Sequence, residues 1–188
     1  MNIKTILCYG DSNTYGYDPR DPLGGRYEPE YRWCDLLEKG LHCRVVNYGE
    51  NGRNIPTDYW GYPELFQTIR REKPDLCVIL LGTNDILNGR GTLEEISRRT
   101  ETFLMKLHEN CPEVSILLLS PPQINLKGLH SSAEELSALY CQAAQRQGVD
   151  FLDSFRWNTP LSFDGVHLSE EGHRIFAEHL VQELKKRT

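Results

Sequence analysis

Residues 5–16 read TILCYGDSNTYG: an apolar run through Ile6, Leu7, Cys8 and Tyr9, then two glycines, an acid, an amide and a pair of hydroxyls gathered around Ser12. A short β-rich run that breaks at once into glycine and aspartate is the pattern of a buried strand ending in a tight polar loop. The pattern returns along the chain. Apolar runs occupy Ile3 to Tyr9, Cys43 to Tyr48, Leu76 to Leu81, Val114 to Leu119 and Val149 to Leu152, and each reads as a strand. Between them lie helical stretches at about Glu30 to Gly40, about Pro63 to Lys73, Thr92 to Asn110, Ser131 to Gln147 and Ser169 to Lys186. Thr92 with Glu95, and Ser131 with Glu134, have capping-box spacing; Gly148 and Cys111-Pro112 read as stops. Strand–helix alternation predicts an α/β fold with a five-stranded parallel sheet, helices on both faces and right-handed crossovers, spanning residues 1–188 as one domain.

Composition narrows the function classes. With 188 residues, 39% hydrophobic and 26% charged, the chain can bury one ordinary core. The 27 acidic against 21 basic side chains leave a formal charge of −6, and the basic ones are scattered except for Lys185-Lys186-Arg187, so no nucleic-acid partner is expected. No apolar run approaches the ~20 residues of a membrane span, and MNIKTILCYG lacks the long apolar stretch of a signal peptide, which points to a cytoplasmic protein without a membrane partner. The six cysteines are far apart with no CxxC pair, so they read as reduced, mostly buried thiols rather than a zinc site.

In a sheet of this kind the working site lies at the carboxyl ends of the strands. Unusual polar chemistry follows four of the five runs: Gly10-Asp11-Ser12-Asn13-Thr14, Gly49-Glu50-Asn51-Gly52, Gly82-Thr83-Asn84-Asp85 and Asp164-Gly165-Val166-His167. A serine hydroxyl is a weak nucleophile until a base takes its proton, and the base needs an orienting partner. Ser12, His167 and Asp164 fill those three roles if the DGVH segment is a turn. Donors for a developing oxyanion are at hand in the amides of Ser12 and Gly52 and the side chain of Asn84. Each residue alone has a plainer reading as a turn, a cap or a surface side chain. Together they complete the requirements of acyl transfer.

Those four blocks, in this order and over nearly the whole chain, resemble the SGNH superfamily, or GDSL-type hydrolases. The resemblance implies a flavodoxin-like three-layer α/β/α sandwich and metal-free, cofactor-free ester hydrolysis through Ser12, Gly52, Asn84 and His167, with Asp164 orienting the histidine. Asn13 stands where the GDSL name has leucine, a position without a catalytic role in the family. Residues 10–17 with Arg26 to Trp33 look most like the bacterial arylesterase and acyltransferase branch, whose members act on short-chain esters, in some cases transferring the acyl group to alcohols or hydrogen peroxide, and are in several cases homo-oligomers. The superfamily also holds carbohydrate deacetylases, lysophospholipases and thioesterases, and fold alone does not choose among them.

The loops at the working edge are rich in aromatics: Tyr15, Tyr17, Tyr27, Tyr31, Trp33, Tyr59, Trp60, Tyr62, Trp157 and Phe163. As a group they suggest a restricted, partly apolar cleft for a short acyl group on a small alcohol, phenol or sugar. Substrate contacts are assigned to Tyr15, Trp60 and Asp11; Arg53 and Arg32 receive no catalytic role. Two alternatives stand beside the esterase. Asp11, Asp85, Asp164 and His167 could share a divalent metal for phosphoester hydrolysis, or GDSNTYG could cradle the phosphate of a flavin mononucleotide.

Overall fold

The computed structural model describes residues 3–57 and 61–187. Strands β1 (Thr5–Gly10), β2 (Arg44–Gly49), β3 (Leu76–Leu80), β4 (Ser115–Leu119) and β5 (Asp150–Leu152) form one parallel sheet in the order β2-β1-β3-β4-β5. This is the flavodoxin-like, doubly wound order. All five expected runs are strands, with ends shifted by a residue or two. The helices are α1 (Ser12–Tyr15), α2 (Trp33–Leu41), α3 (Tyr62–Glu72), α4 (Thr83–Leu87), α5 (Leu93–Asn110), α6 (His130–Gln147) and α7 (Glu170–Lys185). None among the described residues is long and apolar enough to cross a membrane.

Period-two alternation along the strands divides the core. Leu7, Tyr9, Cys77, Ile79, Ile116 and Leu118 face α3, α5 and α6, where Leu65, Phe103 and Tyr140 are buried. Ile6, Cys8, Val78, Leu80, Leu117 and Leu119 face α2 and α7, where Trp33 and Phe176 pack ring against ring at 5.1 Å. The central strands are apolar on both sides because both sides are covered.

At the carboxyl edge the register pairs Gly10 of β1 with Gly49 of β2. A Cβ on Gly10 would meet Thr14 Oγ1 at 2.1 Å, and one on Gly49 would meet the Tyr15 nitrogen at 2.1 Å. The two glycines therefore form a notch, and α1 lies in it.

Two short α-helices escaped the sequence reading. Helices α1 and α4 have four and five residues, too short for a 3.6-residue period to register. One expected cap is also corrected. Helix α6 begins at His130, entered from a turn closed by the Leu129 N–H donating to the Leu126 carbonyl, so Ser131 already lies in the first helical turn and caps nothing. Glu134 instead pairs with Arg156 at 3.0 Å. The Thr92–Glu95 capping box does form, with the Glu95 N–H donating to Thr92 Oγ1 at 3.3 Å and the Thr92 N–H to Glu95 Oε2 at 2.9 Å. Thr92→Ala should accordingly cost about 1 kcal/mol in urea denaturation, whereas Ser131→Ala should stay within about 0.5 kcal/mol of the wild type.

Candidate active site

Ser12 occupies the first position of α1, where a backbone N–H has no helical acceptor, and it is 6% exposed. Asp11 caps the helix, accepting the Asn13 N–H at 2.9 Å. The carbonyls of this short helix are held from neighbouring elements: the Trp33 indole donates to the Asn13 oxygen at 2.9 Å and the Asn47 amide to the Thr14 oxygen at 2.8 Å. A four-residue helix has little stability of its own, so these contacts fix where the serine sits.

The segment before α7 brings its histidine to that serine. His167 Nε2 lies 2.8 Å from Ser12 Oγ, and His167 Nδ1 lies 2.5 Å from Asp164 Oδ2. The other Asp164 oxygen accepts the N–H groups of Val166 and His167, both at 3.0 Å, which folds DGVH into a turn. Burial raises the Asp164 carboxyl, but the His167 ring and those two amides outweigh it and hold the group below the usual carboxylate range. An ionised Asp164 places the imidazole proton on Nδ1 and leaves Nε2 to accept from the serine. Tyr17 packs its ring on that imidazole, centroid to centroid 4.6 Å.

Gly52 and Asn84 lie in the segments that follow β2 and β3, the two strands adjoining β1. Gly52 has φ +76°, a left-handed conformation that favours glycine, and nothing lies within 4 Å of where a Cβ would stand. The Asn84 amide donates one hydrogen to the Arg53 carbonyl at 3.0 Å, which orients the group and keeps its second N–H available. Arg53 ties these parts together. Its guanidinium donates to the Gly10 carbonyl at 2.8 Å, to the Tyr48 carbonyl and to Glu50 at 2.7 Å, and covers the Tyr9 and Tyr48 rings. Asp85, buried below, accepts from the Ile55 N–H and from Arg99, both at 3.1 Å, and so anchors the same loop.

The expected substrate contacts fare differently. Asp11 has no accessible surface, so it is a cap beneath the serine and not a substrate contact. Tyr15 is half-buried with the Arg26 guanidinium 4.4 Å over its ring, and Trp60 lies outside the described residues, as does Tyr59. Tyr27, Trp33 and Tyr62 are core, and Trp157 packs on Phe176 and His179. Phe163, one residue before Asp164, is 78% exposed. The four side chains of the metal alternative do not converge: Asp11 caps α1, Asp85 holds Arg99, and Asp164 holds His167. Among the described residues no group of three His, Cys, Asp or Glu is placed to share an ion. The phosphate cradle is likewise filled, because the Asp11 carboxylate occupies the amino end of α1. Arg53 and Asn13, given no catalytic part by the sequence, carry much of the framework; only the departure of Asn13 from leucine signalled it.

Asp11 and His173 are buried titratable groups close to the site. Burial pushes the Asp11 carboxyl up to about 6, against the opposing pull of the Asn13 N–H, the His167 charge, the Thr83 hydroxyl and Arg53. Burial pushes His173 down to about 3, helped by the charges of His167 and Arg32; its Nδ1 accepts the Trp33 N–H at 3.4 Å.

A doubly wound sheet with this serine-to-carboxylate chain at its carboxyl edge is the architecture of the SGNH hydrolases. Across residues 8–175 the sequence matches the model of the GDSL-like lipase/acylhydrolase family, and the chain belongs to that family. The structure is similar to that of the aryl esterase of M. smegmatis, with 25% identity and a TM-score of 0.86 over 97% of this chain and 99% of that one. It is also similar to a carbohydrate acetylesterase family member from Sinorhizobium meliloti, with 28% identity and a TM-score of 0.82 over 97% and 98% of the two chains. A GDSL esterase/lipase of Arabidopsis thaliana is 25% identical over 145 residues, 61% of this chain and 60% of that protein's length.

The buried pair predicts a pH signature. Between its unfolded value of 3.8 and its folded value of about 6, Asp11 binds a proton only in the native state, so its contribution to stability rises as pH falls. Between about 3 and 6.5, His173 binds a proton only in the unfolded state, so its contribution falls as pH falls. Over the shared window the two oppose each other. Asp11→Asn should lift the first alone: relative to the wild type its stability should decline by roughly 2 kcal/mol from pH 7 to pH 4, read by urea denaturation.

Proposed function

We propose that the protein is a serine esterase that cleaves short-chain carboxylic esters through an acyl-enzyme. The observation that carries this reading is the unbroken hydrogen-bonded chain from Asp164 Oδ2 through His167 to Ser12 Oγ, at 2.5 and 2.8 Å. As Ser12 Oγ attacks the ester carbonyl, its proton passes to His167 Nε2. The imidazolium is stabilised by the Asp164 carboxylate. The carbonyl oxygen gains a negative charge, which the amides of Ser12 and Gly52 and the Asn84 side chain receive. His167 then returns the proton to the departing alcohol, and water repeats the sequence against the acyl-enzyme.

The substrate class follows from the surroundings. A nucleophile that is 6% exposed admits a small acyl group, while the exposed Phe163, adjacent to Asp164 in the chain, offers an apolar surface for a ring-bearing leaving group. The relatives named for aryl ester and carbohydrate acetyl ester cleavage support acetyl or aryl esters, O-acetylated sugars included.

A small fluorophosphonate should add once to the protein, as read by intact mass, and Ser12→Ala should abolish the adduct; an unlabelled wild type that is folded would remove the reading. Ser12→Ala and His167→Ala should each lower turnover by at least about 10³, and the double variant should lose little more, because the residues act as a unit. In a p-nitrophenyl ester series the rate should fall with acyl length, and rates still rising beyond octanoate would contradict the small acyl site.

A further inference from the structure

We infer that Asn13 is a positioning residue: its carboxamide clamps the peptide groups on either side of His167 and so sets the imidazole against Ser12. The inference rests on the esterase reading and concerns the one motif position to which that reading gives no part.

The geometry is a two-point clip. The Leu168 N–H donates to Asn13 Oδ1 at 2.9 Å, and Asn13 Nδ2 donates to the Val166 carbonyl at 3.5 Å. An amide side chain offers a donor and an acceptor side by side, so it can pair with an extended backbone as a neighbouring strand would. His167 lies between the two gripped groups. Asn13 is 1% exposed, and its own backbone carbonyl is fixed by the Trp33 indole, so the clip is anchored at both ends.

The rest of the loop shows why the clip matters. Several neighbouring backbone groups are met without Asn13: the Gly165 N–H by the Ser162 carbonyl, the Gly165 carbonyl by the Asn125 N–H of a distant segment, the Val166 and His167 N–H groups by Asp164, and the His167 carbonyl by the Ser162 N–H. The Val166 carbonyl and the Leu168 N–H are met by Asn13, and both residues are buried, at 7% and 0% exposure. Without the carboxamide these groups would have to move to find partners, and His167 would move with them. Asp164 cannot do the same work. It belongs to the same turn as the histidine, so it sets the tautomer and tilt of the ring, but it does not tie the turn to the nucleophile. Asn13 does, because it is the next residue after Ser12 on the same helix.

Asn13→Leu fills the space and removes both hydrogen bonds; Asn13→Asp keeps the acceptor for Leu168 and presents an acceptor to the Val166 carbonyl. Fluorophosphonate labelling of Ser12 should slow by about 10- to 100-fold in Asn13→Leu and by less in Asn13→Asp, the scale expected for a displacement near 1 Å. The kcat for p-nitrophenyl acetate should fall by the same factor with KM little changed. The far-downfield imidazole proton of the His167–Asp164 bond should persist in the proton NMR spectrum, since the turn carries that bond with it. If Asn13→Leu fails to fold, Asn13→Asp and Asn13→Ser carry the same test. A folded variant that labels as fast as the wild type overturns the inference and leaves the esterase reading intact. Slowed labelling accompanied by loss of the downfield proton also overturns it, because the turn itself would then have come apart. A wild type that does not label removes both.

Discussion

The structure depends on one steric fact, the missing pair of side chains where β1 and β2 end. Gly10 and Gly49 face each other in register, and the four-residue helix α1 rests where their Cβ atoms would have been. That close approach converts the end of a strand into a shelf for Ser12. It also explains why the framework around the serine comes from other elements. A helix of one turn cannot hold itself, so Trp33 from α2 and Asn47 from β2 bond its carbonyls, Asp11 caps it, and Arg53 locks the adjoining loop to the Gly10 carbonyl.

Arg53 shows how a charge can be wholly occupied by structure. Its guanidinium meets two carbonyls, one carboxylate and two aromatic faces, so little of its donor capacity faces an incoming ligand. The loop it secures carries Gly52 and contacts Asn84, which makes its influence on chemistry indirect. Asp85 acts in the same way from below, joining Ile55 to Arg99. Asp11 and His173 add a different feature, two ionisable groups kept out of water with opposite preferences for a proton.

What could be read in the sequence was whatever has a period or a chemical role. The strands announced themselves through runs such as Leu76 to Leu81, and three of the four polar blocks fell at strand ends as a parallel sheet requires, the fourth lying beyond β5 in the segment before α7. Ser12, His167 and Asp164 were legible because acyl transfer needs those types, and the structure brings them into one hydrogen-bonded chain. Helices α1 and α4 were hidden because they are shorter than two turns. Asp11 misled because exposure is not written in a carboxylate: a residue beside a nucleophile can face inward. Asn13 was passed over for a related reason. Its partners lie more than 150 residues away, and no local pattern reports a side chain that pairs with a distant backbone.

That separation has a consequence for how the site comes into being. Ser12 Oγ and His167 Nε2 are 155 residues apart along the chain, and the segments that carry Gly52 and Asn84 follow strands that lie between them. A contact of such range closes most of the chain into a loop, so it requires β1 at one end and the segment before α7 at the other to be in place together. An amino-terminal fragment emerging from synthesis therefore carries the serine with nothing to activate it. Covalent labelling during refolding would therefore report the meeting of the two ends of the chain, not the formation of β1 and α1 alone.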